Sequence, residues 1–252
     1  MTRRPDPLTF WQRWRSNIFR APLFFGGTAM FGTAALIASL WAKTGRTQHR
    51  IARVWAKTCV LVSGATLEVE GAENLRKFPV AVYAANHTSY MDTPVVFSTL
   101  PFQFRILAKK ELWSLPFIGW YLNRSGQIPV DADNPRAALS SLSGGVKALR
   151  AGMPLFVFPE GSRTPDGELQ TFLAGAAYLA IRAQVPVVPI ALSGVYDLLP
   201  IRTSHFFPCE VRLMAGEPIE TTGMTPRQVE DLTERLRCEI ARMLEAAPVT
   251  CS

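Results

Sequence analysis

Cysteine, histidine and early acidic residues are all scarce in this chain, and each shortage excludes something. Four cysteines in 252 residues, none at CxxC spacing, point to free thiols in a reducing compartment. Three scattered histidines with no ligand cluster around them argue against zinc, and no metal is expected. No GxSxG pentapeptide occurs, so the nucleophile elbow of serine hydrolases is missing. Residues 65–252 contain no repeat, no low-complexity tract and no linker long enough to divide them.

Acid is nearly absent from the first 67 residues, where Asp6 stands against ten Lys or Arg for a charge of +9; the remainder carries −2. A basic head meets either nucleic acid or an anionic membrane surface. Here the same segment holds the uncharged 22-residue run 21–42, a poor nucleic-acid footprint, so membrane lipids are the expected partner and nucleic acid is not. As a helix the run would be about 33 Å long, close to the hydrocarbon thickness of about 30 Å. It is too long and starts too late for a secretory signal. Arg13, Arg15 and Arg20 precede it, and Lys43, Arg46, Arg50 and Arg53 follow it. Basic flanks at both ends favour a helix that dips into one leaflet and returns, with Gly26, Gly27 and Gly32 permitting a bend, over a straight span. A second helix over residues 47–62 would complete an antiparallel pair lying on the membrane. Trp11, Trp14 and Trp41 bracket the run as interfacial anchors do. His49 sits in this basic head and is expected at the interface; His205 falls in a late loop and is given no catalytic role.

From residue 65 onward, short apolar strands alternate with helical patterns. Strands are expected at 67–70, 80–85, 104–107, 128–130, 154–158, 187–192 and 210–215. Helices are expected at 135–150, 175–183 and 225–245, the last with Thr225 as N-cap before Pro226. Pro189 argues that its strand is an edge, a bulge or an end. The pattern predicts an α/β domain with a mixed, largely parallel sheet and flanking helices over 65–252, behind a membrane-associated helical segment over 1–64.

Two polar clusters follow apolar strands. In Asn86-His87-Thr88-Ser89-Tyr90-Met91-Asp92 a histidine and an aspartate stand five residues apart. On one α-helix they would point about 140° apart. Across a strand-to-helix turn, with Asp92 opening the helix and Pro94 in its first turn, they meet. Such a pair is a general base oriented by a carboxylate. With no protein nucleophile at hand, the nucleophile belongs to the substrate, as a hydroxyl does. The second cluster is Phe158-Pro159-Glu160-Gly161-Ser162-Arg163-Thr164. Its glycine permits close backbone approach, and its arginine presents a fork suited to phosphate or carboxylate.

These two blocks resemble the HX4D and EGTR-type motifs of the glycerolipid acyltransferases, with Ser162 replacing the usual threonine. Residues 109–131 and 185–194 resemble the family's remaining blocks, in the right order over 80–194. The likeness is greatest to the 1-acyl-sn-glycerol-3-phosphate acyltransferases, whose bacterial members carry an N-terminal two-helix membrane motif. The resemblance implies that His87 deprotonates the acceptor hydroxyl while Asp92 orients it. It also implies that Asn86, Glu160, Gly161, Ser162 and Arg163 hold substrate, with Arg163 on phosphate and Lys109 as a further contact. One position departs from the family: Ala132 stands where an arginine often helps to bind phosphate, and Arg124 or Arg136 is the expected substitute. Oxyanion donors are sought among the backbone amides near the His87 turn.

The implied reaction moves a fatty acyl group from acyl-CoA or acyl carrier protein (acyl-ACP) to a lysophospholipid, at the cytoplasmic face of a bacterial inner membrane, without metal or redox cofactor. The competing expectations are an acyltransferase for another lysolipid such as lyso-ornithine lipid, a lipid hydrolase, and a non-enzymatic membrane-binding protein.

Overall fold

The computed structural model describes residues 10–42, 45–115, 118–131 and 135–247. Helix α1 (Phe10–Arg15), a π-helical turn (Ser16–Arg20) and α2 (Ala21–Ala38) run on as one rod. Gly26, Gly27 and Gly32 lie inside it, so the glycines do not turn the chain; the reversal comes after Ala38. Helix α3 (Arg46–Ser63) then returns antiparallel to α2 and packs along it, with Trp55 Nε1 donating to Thr28 Oγ1 at 3.0 Å. The expected two-helix motif is therefore present. The rod's apolar residues are mostly uncovered: Leu23, Phe25, Met30 and Ile37 are all exposed, as is Trp41 in the turn that follows.

The strands are β1 (Thr66–Glu70), β2 (Val82–Ala85), β3 (Arg105–Lys109), β4 (Ile128–Val130), β5 (Leu155–Val157), β6 (Val187–Ser193) and β7 (Glu210–Ala215). They form one sheet in the order β1-β7-β6-β2-β5-β3-β4, parallel throughout except where β7 meets β6. Helices α4 (Asp92–Thr99), α5 (Ile118–Ser125), α6 (Pro135–Arg150), α7 (Gly175–Ala183), α8 (Val195–Leu198) and α9 (Val229–Ala246) complete the fold. The short 3-10 turn Pro226–Gln228 leads into α9 through a capping box between Thr225 and Gln228.

Helices cover both faces, which explains why the central strands read as unbroken apolar runs. Along β2, Tyr83 and Ala85 face the core shared with α2, α3 and α4, while Val82 and Ala84 face the core shared with α6, α7 and α9. Ala52, Ala56 and Cys59 of α3 belong to the first core together with Val95, Val96 and Phe97 of α4. His49 is buried there, not interfacial. Its ring packs on Phe97 and Phe104, with centroids 5.3 and 5.0 Å away, and Nε2 lies 3.1 Å from the Phe102 carbonyl. Burial pushes its pKa down to about 4, so it is neutral at pH 7.

Pro189 sits in an interior strand, where its missing N–H is accommodated by a break. The β6–β7 pairing slips by one residue between Val187–Ile219 and Ile190–Ala215, and the Pro189 carbonyl at the slip accepts from Gly216 N–H at 2.9 Å.

Sheet order positions the site. The chain leaves β2 through α4 on one face and leaves β5, the next strand, through α7 on the other. The crevice between diverging connections at carboxyl strand ends is where open α/β sheets bind ligands.

Phe104, buried against His49, Phe97 and Phe156, ties α3 and α4 to the sheet. Phe104→Ala is expected to cost about 3–5 kcal/mol in denaturant unfolding; a loss below about 1 kcal/mol would mean that α3 and α4 are not held through this side chain.

Candidate active site

Strand β2 ends at Ala85, and Asn86 extends its pairing by side chain. Asn86 Nδ2 donates to the Leu192 carbonyl at 3.0 Å and Oδ1 accepts from Leu192 N–H at 2.8 Å. Both amide atoms are thus bonded to β6. The next residues turn sharply, and Asp92 opens α4. His87 Nδ1 lies 2.7 Å from Asp92 Oδ2, and that same oxygen accepts Thr88 N–H at 2.7 Å and Ser89 N–H at 2.8 Å. Asp92 is fully buried. Three donors converging on one oxygen fix the imidazole with its proton on Nδ1. Nε2 is then the basic nitrogen, and among the described residues nothing pairs with it.

The second cluster grips His87 from the other side. Phe158 stacks on the imidazole with ring centroids 3.9 Å apart and planes 16° from parallel. Glu160 Oε1 accepts His87 N–H at 2.6 Å, Oε2 accepts Gln170 N–H at 3.2 Å, and Thr164 N–H donates to the His87 carbonyl at 3.0 Å. Burial pushes the Glu160 carboxyl up to about 7, against these two amides, which lower it. With one backbone amide on each oxygen, Glu160 ties the loop to His87. Gly161 makes the turn possible at φ +74°, where a Cβ would also approach Leu173 Cδ1 to 2.8 Å. Ser162 is exposed at the rim.

Arg163 donates from Nε to the Ser89 carbonyl at 3.1 Å, and its guanidinium lies 4.5 Å from the centre of the Tyr90 ring. Partial burial lowers its pKa, while Asp92 and Tyr90 raise it; an arginine remains a cation under such pressures. Neither Nη has a partner among the described residues, so the fork is open beside the dyad.

Other expected positions lie apart. Lys109 is exposed at the carboxyl end of β3, the same edge of the sheet, two strands from β2. Its neighbour Lys110 pairs with Asp131. Arg124 closes α5 before β4, at the opposite end of the sheet, and reaches the Ser39 carbonyl at 3.4 Å. It therefore does not stand in for the missing arginine. Ala132 lies outside the described residues, as does the side chain of Arg136. The amides of His87, Thr88 and Ser89 are all consumed by Glu160 and Asp92, so they are not oxyanion donors. Sequence reasoning missed Phe158, Tyr90, Ser89 and Gln170. Phe158 and Tyr90 sit inside the motifs as aromatics flanking the charged residues, a visible signal; Gln170 acts through its backbone and gave none.

A family model described as Acyltransferase matches residues 66–193, more than half of the sequence. The chain belongs to the Acyltransferase family. This acyltransferase is 35% identical over 199 residues to the chloroplastic 1-acyl-sn-glycerol-3-phosphate acyltransferase LPAT1 of Arabidopsis thaliana, covering 78% of this chain and 54% of that one. It thus spans about half the length of that relative. It is 31% identical to human 1-acyl-sn-glycerol-3-phosphate acyltransferase alpha, covering 85% of this chain and 76% of that one. Among solved structures it is similar to the 1-acyl-sn-glycerophosphate acyltransferase PlsC of Thermotoga maritima. The TM-score is 0.71 at 26% identity, over 91% of this chain and 98% of that one. The α/β architecture with a mixed, mostly parallel sheet is common to both.

Two substitutions separate the roles in the acyltransferase. Asp92→Asn should lower turnover about 10⁴-fold with the fold retained, by analogy with a triad aspartate; steady-state assay giving an unchanged rate would make the carboxylate purely structural. Glu160→Gln leaves one amide poorly accepted and shifts His87. It should lower kcat about ten- to a hundredfold with little change in acceptor KM, whereas a change confined to KM would make Glu160 a substrate contact.

Proposed function

We propose that this acyltransferase moves a fatty acyl group from acyl-CoA or acyl-ACP to the sn-2 hydroxyl of 1-acyl-sn-glycerol-3-phosphate, giving phosphatidic acid. The observation that carries the proposal is His87 Nε2, unpartnered among the described residues, in a dyad with Asp92 and beside the open fork of Arg163. Nε2 takes the hydroxyl proton, and the oxygen attacks the thioester carbonyl. The new C–O bond forms as the C–S bond breaks, and the thiolate leaves with the proton carried by the imidazolium. Asp92 stabilises that imidazolium while it lasts. Arg163 Nη1 and Nη2 hold the acceptor phosphate. This chemistry calls for no metal or redox cofactor.

The N-terminal rod is long and apolar enough for membrane association, with 17% of its most apolar window buried. Its packing along α3, which in turn packs on α4, favours a rod lying in the plane of one leaflet over one crossing the bilayer. Leu112, Leu115, Ile118 and Trp120 are exposed on and just before α5, which packs beside α2, and they extend the same apolar face. A cytoplasmic leaflet of a bacterial inner membrane suits this arrangement, because acyl thioesters are made in the cytoplasm while acceptor and product stay in the bilayer.

The deciding experiment is a panel of acceptor lysolipids with one long-chain acyl thioester, read by product mass. Phosphatidic acid is expected as the main product from wild type, and Arg163→Ala should raise the acceptor KM about tenfold or more, the loss of one charge-assisted contact of about 1.5–3 kcal/mol. Preference for a phosphate-free acceptor, or a change in the donor KM alone, would overturn the phosphate assignment. Free fatty acid without acceptor would replace the transferase by a hydrolase.

A further inference from the structure

A second cationic feature lies away from the dyad, at the start of the rod. Arg15 and Arg20 are five residues apart, which on an α-helix would set them about 140° apart. Between them the helix widens into the π-turn Ser16–Arg20, closed by Ala21 N–H on the Ser16 carbonyl. That extra residue in the turn brings Arg15 and Arg20 to one side of the helix, where they line one crevice and repel each other. Among the described residues no carboxylate pairs with either. Two guanidiniums lining one crevice, with no carboxylate paired to either among the described residues, suit an anionic ligand.

The crevice has a volume of about 390 Å³, within the range of about 300–1,000 Å³ usual for small-molecule sites. Its other wall is apolar, formed by Phe19 and Leu23 of the rod and Leu61 of α3, all more than half exposed. Gly64 closes its end: at φ +77° it caps α3, and a Cβ there would come within 3.0 Å of Arg20 Nη2. Position within the fold is informative too. Gly64 leads into β1, which runs opposite to β6 and β2, so the crevice opens at the edge of the sheet that carries His87. Three strand spacings separate the two, about 14 Å at about 4.8 Å each.

We propose that the Arg15–Arg20 crevice binds the phosphate of an anionic membrane phospholipid, with an acyl chain laid along Phe19, Leu23 and Leu61. A cationic pair backed by exposed apolar side chains, on the helix that associates with the membrane, fits an amphiphile with a negative head. A bound lipid there presents the catalytic edge of the sheet to the leaflet in one orientation. The site is separate from acceptor binding at Arg163, and its test contains no acyl donor, so it stands or falls independently of the transfer reaction.

The test is native mass spectrometry of the full chain in detergent, titrated with dioleoyl-phosphatidylglycerol or dioleoyl-phosphatidylcholine. Wild type should retain one phosphatidylglycerol in preference to phosphatidylcholine. Arg15→Gln with Arg20→Gln should weaken phosphatidylglycerol about twenty-fivefold, the product of about fivefold per arginine, and abolish the preference. Arg13→Gln removes one positive charge from outside the crevice and should change binding less than about twofold, against about fivefold for either crevice arginine alone. Leu61→Glu keeps both arginines, supplies them with an internal carboxylate and should block the lipid as the double variant does. Inorganic phosphate at matching concentration should not displace the lipid. Equal loss in Arg13→Gln, undiminished binding in the double variant or in Leu61→Glu, or displacement by phosphate alone would each overturn the proposal.

Discussion

One carboxylate oxygen organises the catalytic end of this protein. Asp92 Oδ2 receives His87 Nδ1 and the N–H groups of Thr88 and Ser89, and so it bends the chain between β2 and α4 while fixing the imidazole. Burying a carboxylate is costly unless donors meet it, and here three donors, all from the very turn the carboxylate creates, meet Oδ2. Structure and chemistry are inseparable at this point: the interaction that forms the turn also leaves Nε2 as the free, basic nitrogen.

Everything around that oxygen limits how far His87 can move. Its ring lies on Phe158, its N–H is on Glu160, and its carbonyl takes Thr164 N–H. These partners all follow β5, which pairs directly with β2, so sheet register sets the distance between the two motifs. Because α4 and α7 leave on opposite faces, the carboxyl ends of β2 and β5 stay uncovered and a substrate can reach the dyad. Arg163 joins the assembly through the Ser89 carbonyl, which is part of the same turn. Any slip in the β2–β5 pairing would therefore disturb base, orienting acid and anion-binding fork together.

Much of this was legible in the sequence, for identifiable reasons. The apolar runs of β2, β5 and β6 follow from burial on both faces, and the wide spacing of His87 and Asp92 required a turn, since a helix would hold them apart. Their roles, and that of Arg163, rest on the motif resemblance as well as on the residues. What escaped were partners that act through backbone or through both ends of an amide. Asn86 completes the ladder to Leu192 through its side chain, and Glu160 accepts the amides of His87 and Gln170, ties that one dimension does not display. Arg124 was within reach by sequence but lies at the far end of β4. His49 sits among basic residues in the sequence, but every turn of α3 alternates between solvent and core, and position 49 falls inward against Phe97 and Phe104. Pro189 shows the reverse case, where the sequence named a set of outcomes and the structure chose the bulge.

The base assignment depends on which ring nitrogen of His87 carries the proton. Nitrogen NMR of histidine-labelled protein at neutral pH, with His87 assigned through its substitution, measures this directly. A neutral His87 ring protonated at Nδ1 with Nε2 bare, lost on replacement of Asp92 by asparagine, is the result required here. A proton residing on Nε2 in the unperturbed protein would contradict it, because the nitrogen facing the substrate would then have no lone pair to accept the hydroxyl proton.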